Sequence, residues 1–365
     1  MDFSALFRRA FESGASDIHL RAGRPAKLRV HGELVSAGET AISQEEFVAQ
    51  LTRMMPAHLR AASAADLLTE TTRGLDFSYS EPGAGRFRCN AFLTMGRLGM
   101  TMRTIKADIP NLDALNLPST VMDIALSQRG LTLVTGTTGS GKSTTLAAMI
   151  DLINTNYGLK ILTVEDPIEY IHGDKQSLVE QIEVGSDTIS FEQALRQALR
   201  QDPDVILIGE LRDVETLRMA LRAADTGHQV FATVHAARAA QTIERIIAMF
   251  PPAEHKVLLS ELAHSLEAII SQRLVATRDK RPRRPAVEIL RGGPVTEKYI
   301  LEGKLNQLTE YIESGQSGMQ SFDQHLLQMY SQRLITGTEA IRQANRPEAL
   351  ATALRGIKFT GHSVA

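Results

Sequence analysis

Two rhythms of apolar residues divide this chain. Up to about residue 105 the rhythm is short and alternating. Residues 86–94 (RFRCNAFLT) set Phe87, Cys89 and Ala91 on one face and Arg86, Arg88 and Asn90 on the other, as in a strand covered on one side only. KLRVHGEL (27–34), GLDFSYS (74–80) and residues 97–105 predict further strands, and the turn Glu81-Pro82-Gly83-Ala84-Gly85 joins two of them. The sheet so predicted has one apolar face and one arginine-rich face, within a small α+β unit.

After 106–118 (KADIPNLDALNLP), whose two prolines suit a linker, the rhythm changes. LTLVTG (131–136), KILTVED (160–166), DVILIGE (204–210) and QVFATVH (229–235) are short unbroken apolar runs, the mark of parallel strands buried on both faces. Helical spacing lies between them. Ser190 and Gln193 suggest a capping box ahead of Phe191, Leu195, Ala198 and Leu199, and Leu217, Ala220, Leu221 and Ala224 precede a stop at Gly227. This alternation predicts a right-handed, mostly parallel α/β sheet. From Pro251 the chain reads as helical, with Leu258, Leu262, Leu266 and Ile269 on one face, and the basic stretch 278–285 reads as a solvated loop. The expected organisation is a domain over 1–105, a linker over 106–118, a second domain over 119–290 and a helical region over 291–365.

Composition narrows the function. A length of 365 residues fits two domains. A net charge of −2 with few aromatic residues argues against a nucleic-acid partner. The single cysteine, Cys89, excludes an internal disulfide or a multi-cysteine zinc site and reads as a buried apolar residue. The charged amino-terminal stretch has no signal-peptide core, and no run approaches the roughly 18 apolar residues of a membrane span, so a cytoplasmic protein is expected.

The chemistry gathers at the ends of the predicted parallel strands. Gly136-Thr137-Thr138-Gly139-Ser140-Gly141-Lys142-Ser143 fits the phosphate-loop pattern, directly after a strand and before a helix that continues through Thr144. Glycines let backbone N–H groups form an anion nest, and the helix adds its positive end. Lys142 would reach the β- and γ-phosphates of ATP, and the Ser143 hydroxyl would ligate Mg²⁺. Glu210 ends a strand where such enzymes carry the carboxylate that serves Mg²⁺ or the attacking water. Glu165, Asp166 and Glu169 crowd the end of another strand, and either Glu165 or Glu210 could be the general base. His228 and His235 bracket one strand, and His235 at its carboxyl end could sense the γ-phosphate. Arg86, Arg88 and Arg103 could neutralise a phosphate held by a neighbouring subunit, although a solvated sheet face is the simpler reading.

Taken together, ASDIHL (15–20), RFRCNAF (86–92), GTTGSGKSTTLAAMID (136–151), ILTVEDPIEY (161–170), ALRQDPDVILIGELRD (198–213), TGHQVFATVH (226–235) and GMQSFDQ (318–324) resemble the secretion ATPase superfamily, most closely its PilT/PilU branch of type IV pilus retraction ATPases. The resemblance implies a PAS-like amino-terminal domain on a RecA-like ATPase domain, assembled as a cytoplasmic homohexamer at the inner membrane. Its partners would be the pilus platform protein of that membrane and a paralogous retraction ATPase. It implies Lys142 and Ser143 as Walker A, Glu210 as Walker B, Glu165 with Asp166 as the acidic box, and His235 with His228 as the histidine box. It also favours a nucleotide role for Arg86, Arg88 and Arg103. Thr137 stands where the family usually has proline. VTEKYILE (295–302) replaces the AIRNLIRE segment associated with retraction, and the ending GMQSFDQHLLQMYSQRLIT (318–336) with AIRQAN (340–345) leans toward an accessory PilU-type paralogue or a lineage-specific PilT homologue.

Overall fold

The structure is a computed structural model that describes residues 2–56, 74–105, 108–279 and 283–356. By its internal contacts the chain forms two compact units. One runs to Asp108 and takes in two later excursions, Asp166–Ile171 and Glu183–Ile189; the other holds the rest.

The smaller unit is built on six antiparallel strands: β1 (Asp17–Arg21), β2 (Lys27–Val30), β3 (Glu33–Ser36), β4 (Leu75–Glu81), β5 (Gly85–Thr94) and β6 (Arg97–Thr104), in the order β3-β2-β1-β6-β5-β4. Alternation along β5 does what its sequence predicts. Phe87, Cys89 and Ala91 are fully buried, and the helix Phe3–Glu12 lays Phe7 against Phe87 at 5.2 Å between ring centroids. Burial drives the Cys89 thiol pKa upward, so it stays a protonated apolar filler. The helix Gln44–Met54 starts at a full capping box between Ser43 and Glu46 and adds Phe47 and Leu51 to this core. One expectation fails here. KLRVHGEL is not one strand but a hairpin, because His31 (φ 50°) and Gly32 (φ 90°) both adopt the left-handed conformation of a two-residue turn and bring Glu33 opposite Val30.

The larger unit carries seven strands: β7 (Gly130–Thr135), β8 (Lys160–Glu165), β9 (Leu178–Glu183), β10 (Val205–Ile208), β11 (Gln229–Val234), β12 (Leu266–Val275) and β13 (Arg284–Arg291), in the order β13-β12-β7-β11-β10-β8-β9. Glu183, the last residue of β9, counts with the smaller unit. Strands β12, β7, β11, β10 and β8 run parallel, and β13 closes the edge antiparallel. All four residues of β10 and all six of β11 are buried, which explains their unbroken apolar runs.

The helical reading beyond Pro251 is corrected in its middle. The helix His255–Ser265 keeps Leu258 and Leu262, but Leu266 is extended (ψ 116°), and both Leu266 and Ile269 belong to β12. The tertiary gain of pairing β12 with β7 overrides the continued helical period. Arg284 and Pro285 of the expected basic loop start β13, where an edge strand tolerates proline; residues 280–282 lie outside the described residues.

Most of the expected linker joins the larger unit. Leu112 is buried in its core and the Ala114 carbonyl accepts from Arg284, while residues 106–107 lie outside the described residues. The carboxyl-terminal helices are not a separate body either, since Phe322, Leu326 and Met329 pack on Val275 and Ala286. Residues 357–365 of that expected region lie outside the described residues. Among the described residues no helix is long and apolar enough to cross a membrane.

Candidate nucleotide-binding site

The phosphate loop leaves β7 and enters the helix Lys142–Asn156 at Gly141. Gly136, Gly139 and Gly141 all take positive φ (150°, 77° and 92°). Two of these glycines are also required by space. A Cβ on Gly136 would stand 2.4 Å from Ser140 Oγ and 2.5 Å from the Gln272 carbonyl oxygen, and one on Gly141 would stand 2.7 Å from Gln272 Nε2. The loop thus lies flush on β12, with Ser140 buried and Thr137, Thr138 and Gly139 exposed at its tip. Lys142 Nζ donates to the carbonyls of Gly136 (3.1 Å) and Thr137 (3.3 Å), so its charge lies over the loop it would serve. Ser143 and Thr144 follow half-buried in the first helical turn.

Gln272 is a site residue that the sequence did not reveal. It is 2% exposed, donates Nε2 to the Ser140 carbonyl (2.8 Å) and accepts from Thr145 Oγ1 (2.9 Å), tying loop and helix to β12. Its only local signal was membership of a strand, and that strand read as helix.

The acidic residues stand along the same carboxyl edge of the sheet. Thr135 pairs with Val234, Ala232 with Ile208, and Ile208 with Val164, which aligns the ends of β7, β11, β10 and β8. His235 follows β11, Glu210 follows β10 by one glycine, and Glu165 ends β8. At the usual strand spacing these three chains lie roughly 5, 10 and 14 Å across the sheet from β7. Glu210 is held from two sides: Oε1 lies 3.1 Å from His235 Nε2, and Oε2 accepts from Arg212 Nε at 2.8 Å. Glu165 Oε1 accepts from Thr163 Oγ1 (2.7 Å) and Gln181 Nε2 (3.2 Å).

His228 is not among them. It sits at the amino end of β11, roughly 20 Å of strand from His235, where Nδ1 lies 2.9 Å from the Ala223 carbonyl oxygen. There it lines a cavity of about 470 Å³ with Gln128, Tyr157 and Asp204, so it does not reach the phosphate loop of its own chain.

The three arginines have three different settings within the smaller unit. Arg88 is exposed and stands directly opposite Arg103 in the β5–β6 pair. Arg103 in turn faces Asp17 on β1 and donates Nε to it at 3.1 Å. Arg86 is bound to the buried Glu183 at 2.7 Å, a commitment that does not fit the nucleotide role expected for it.

Mg²⁺ fits the donor set. Among the described residues no group of three or more His, Cys, Asp or Glu side chains is placed to cage a metal. A hydroxyl at Ser143 and a carboxylate at Glu210, completed by phosphate oxygens and water, is the sparse protein contribution that Mg²⁺ accepts.

Comparison with known proteins places the chain in a family. The family model described as "Type II/IV secretion system protein" matches residues 2–307. The type IV pilus retraction ATPase PilT of Pseudomonas aeruginosa is 41% identical over 95% of this chain and 99% of its own. The type IV pilus ATPase PilU of the same organism is 41% identical over 94% of this chain and 89% of its own. A crystal structure of the pilus retraction motor PilT with bound ADP superposes with a TM-score of 0.86, at 40% identity over 95% of this chain and 98% of that one. The chain belongs to the type II/IV secretion system protein family, and within it to the ATPases.

Proposed function

We propose that the chain is a type IV pilus retraction motor, a cytoplasmic hexameric ATPase that acts on the inner-membrane platform of the pilus. The observation that carries this reading is the phosphate loop aligned with Glu165 and the Glu210–His235 pair along one sheet edge. It occurs in a chain that matches PilT along 99% of that protein's length.

In this reading Lys142 and the amides of residues 136–144 bind the β- and γ-phosphates and draw off charge that develops as water attacks in line. Ser143 and Glu210 would hold Mg²⁺, partly through water, and the ion would supply electrostatic neutralisation of the phosphates. Of the two carboxylates, Glu210 is the one already paired with the histidine that ends the strand beside β7, which suits it to link γ-phosphate loss to His235. Glu165, fixed by Thr163 and Gln181, then orients or deprotonates the water. Arg88, with Arg103 beside it, would meet the phosphate of a neighbouring subunit.

A second reading, an accessory PilU-type ATPase that modulates an active motor, rests on 41% identity to PilU, which does not separate it from PilT at the same 41%. Steady-state phosphate release against protein concentration tests both, with Lys142→Ala as control. Turnover per subunit that rises cooperatively and is lost in the variant supports a self-assembling motor. ATP binding without turnover by the chain alone assigns it the accessory role.

A further inference from the structure

The geometry points to Arg86 and Glu183 as a positioning pair that fixes the acidic loop behind Glu165 within its own chain. This inference rests on the ATPase reading given above. The chain leaves the larger unit as β8 ends at Glu165, and the next six residues, Asp166–Ile171, count with the smaller unit. What holds those residues therefore bears on the backbone that carries Glu165.

One buried carboxylate ties those residues to the rest of the smaller unit. Glu183 is 2% exposed. Its Oε2 accepts from the Ile168 backbone N–H (3.0 Å) and from Arg86 Nη2 (2.7 Å), and its Oε1 accepts from Ser186 Oγ (3.1 Å). Its own N–H donates to Asp187 Oδ2 at 2.8 Å. Three segments distant in sequence, β5, the loop at Ile168 and the turn after β9, meet on this one group. A carboxylate buried so deeply needs a counter-charge, and Arg86 supplies it.

The same geometry withdraws Arg86 from phosphate binding. Its Nη2 serves Glu183, its Nη1 lies 3.5 Å from Ser80 Oγ, and its Nε is buried without a hydrogen-bond partner. Arg88, two residues along the same strand face, is exposed instead. Identical side chains at alternate positions have thus divided the work. Arg86 secures the acidic loop, and Arg88 remains available to another subunit. Displacing a reacting group by about 1 Å can lower a rate by about 10²-fold, so loosening this loop should lower turnover with little effect on ATP affinity.

Mixed assemblies of two differently tagged full-length chains separate the two roles. One chain carries Lys142→Ala, which disables its own phosphate loop and leaves its arginines intact. The other carries Arg88→Ala or Arg86→Ala. In a randomly mixed one-to-one ring roughly one interface in four joins an intact arginine to an intact loop. Arg88→Ala should therefore recover turnover on mixing. Arg86→Ala should not, because the chain that binds ATP is the one whose acidic loop is loosened. Recovery by Arg86→Ala equal to that of Arg88→Ala would overturn the assignment.

Glu183→Gln and Arg86→Lys complete the test in unmixed rings, with melting temperature and ADP binding recorded for each. Glu183→Gln should lower kcat by about 10- to 100-fold with KM for ATP little changed, and Arg86→Lys should restore part of the loss caused by Arg86→Ala. Wild-type kcat in Glu183→Gln would sink the pairing, whatever Arg88 does. Failure of Arg88→Ala to recover, with Glu183→Gln and Arg86→Ala equally impaired, would remove the trans-acting arginine from the proposed function and leave this pair standing.

Discussion

The two sheets of this chain carry their functional groups in different ways. In the seven-stranded sheet those groups hang from strand ends: Lys142 after β7, His235 after β11, Glu210 after β10 and Glu165 at the end of β8. In the six-stranded sheet they stand in mid-strand on one face, with Arg88 between the buried Phe87 and Cys89. An end group depends on where its strand stops, whereas a face group depends on register. A slip of one residue along β5 would bury Arg88 and expose Phe87. The core and the candidate arginines of the smaller unit are therefore one property, while in the larger unit core and chemistry are separable.

The separation gives the largest expected effect. Glu210 is half-buried beyond its strand and bonded to His235 and Arg212, not to the core. Glu210→Gln keeps the size and removes the charge that would serve Mg²⁺, so phosphate release should fall by roughly 10²- to 10⁴-fold. The melting temperature should stay near that of the parent. A drop of many degrees would show that strand-end groups in this sheet also support the fold, and the contrast would be lost.

The sheets also differed in how far they could be read from sequence, for physical reasons. β10 and β11 were legible because both faces are buried and every residue must be apolar. The phosphate loop was legible because its chemistry is local, with glycine, lysine and a hydroxyl at fixed places within eight consecutive residues. β12 was not, because Leu266 and Ile269 continue the helical period of Leu258 and Leu262, and only its pairing with β7 decides otherwise. Gln272 was lost with it. The hairpin of β2 and β3 was missed because the His31-Gly32 pair is a less familiar two-residue turn than Asn-Gly. Alternation placed Arg86 and Arg88 on one face but could not tell them apart. Their difference lies in Glu183, 97 residues away from Arg86.

Acid should sharpen the comparison next. The larger unit buries two neutral imidazoles, His172 and His325, each with its pKa pushed down to about 4 by burial. His325 Nδ1 accepts from the Val287 N–H at 2.9 Å, a bond that protonation would destroy. Between about pH 6.5 and 4 the unfolded chain binds protons that the folded one refuses, so stability falls as pH falls through that window. For one such histidine the loss approaches roughly 3 kcal/mol at the acid end. In the smaller unit His19 is lowered too, mainly by partial burial, although the neighbouring Asp17 opposes the shift. Hydrogen exchange at pH 7 and pH 5 should show protection lost first around β12, β13 and the helix Phe322–Ser331, and His325→Gln should reduce that loss. Equal loosening of both units would mean that buried histidine does not set the order.

The smallest effect tests the face argument most directly. Arg88 and Arg103 are cross-strand partners, and like charges directly opposite one another destabilise a sheet. Asp17 relieves only Arg103, which it meets at 3.1 Å, and among the described residues Arg88 has no ion pair. A residue kept at a position where it opposes its own fold is better explained by a ligand than by packing. Arg88→Gln keeps length and polarity while removing the repulsion, so urea unfolding should show a gain of about 0.2–1 kcal/mol as turnover falls. Arg103→Gln removes the same repulsion but also the contact with Asp17, so its net effect on stability should lie near zero. A loss of stability in Arg88→Gln would mean that the exposed face of β5 contributes to the fold after all. The division of labour between Arg86 and Arg88 along that strand would then need another cause.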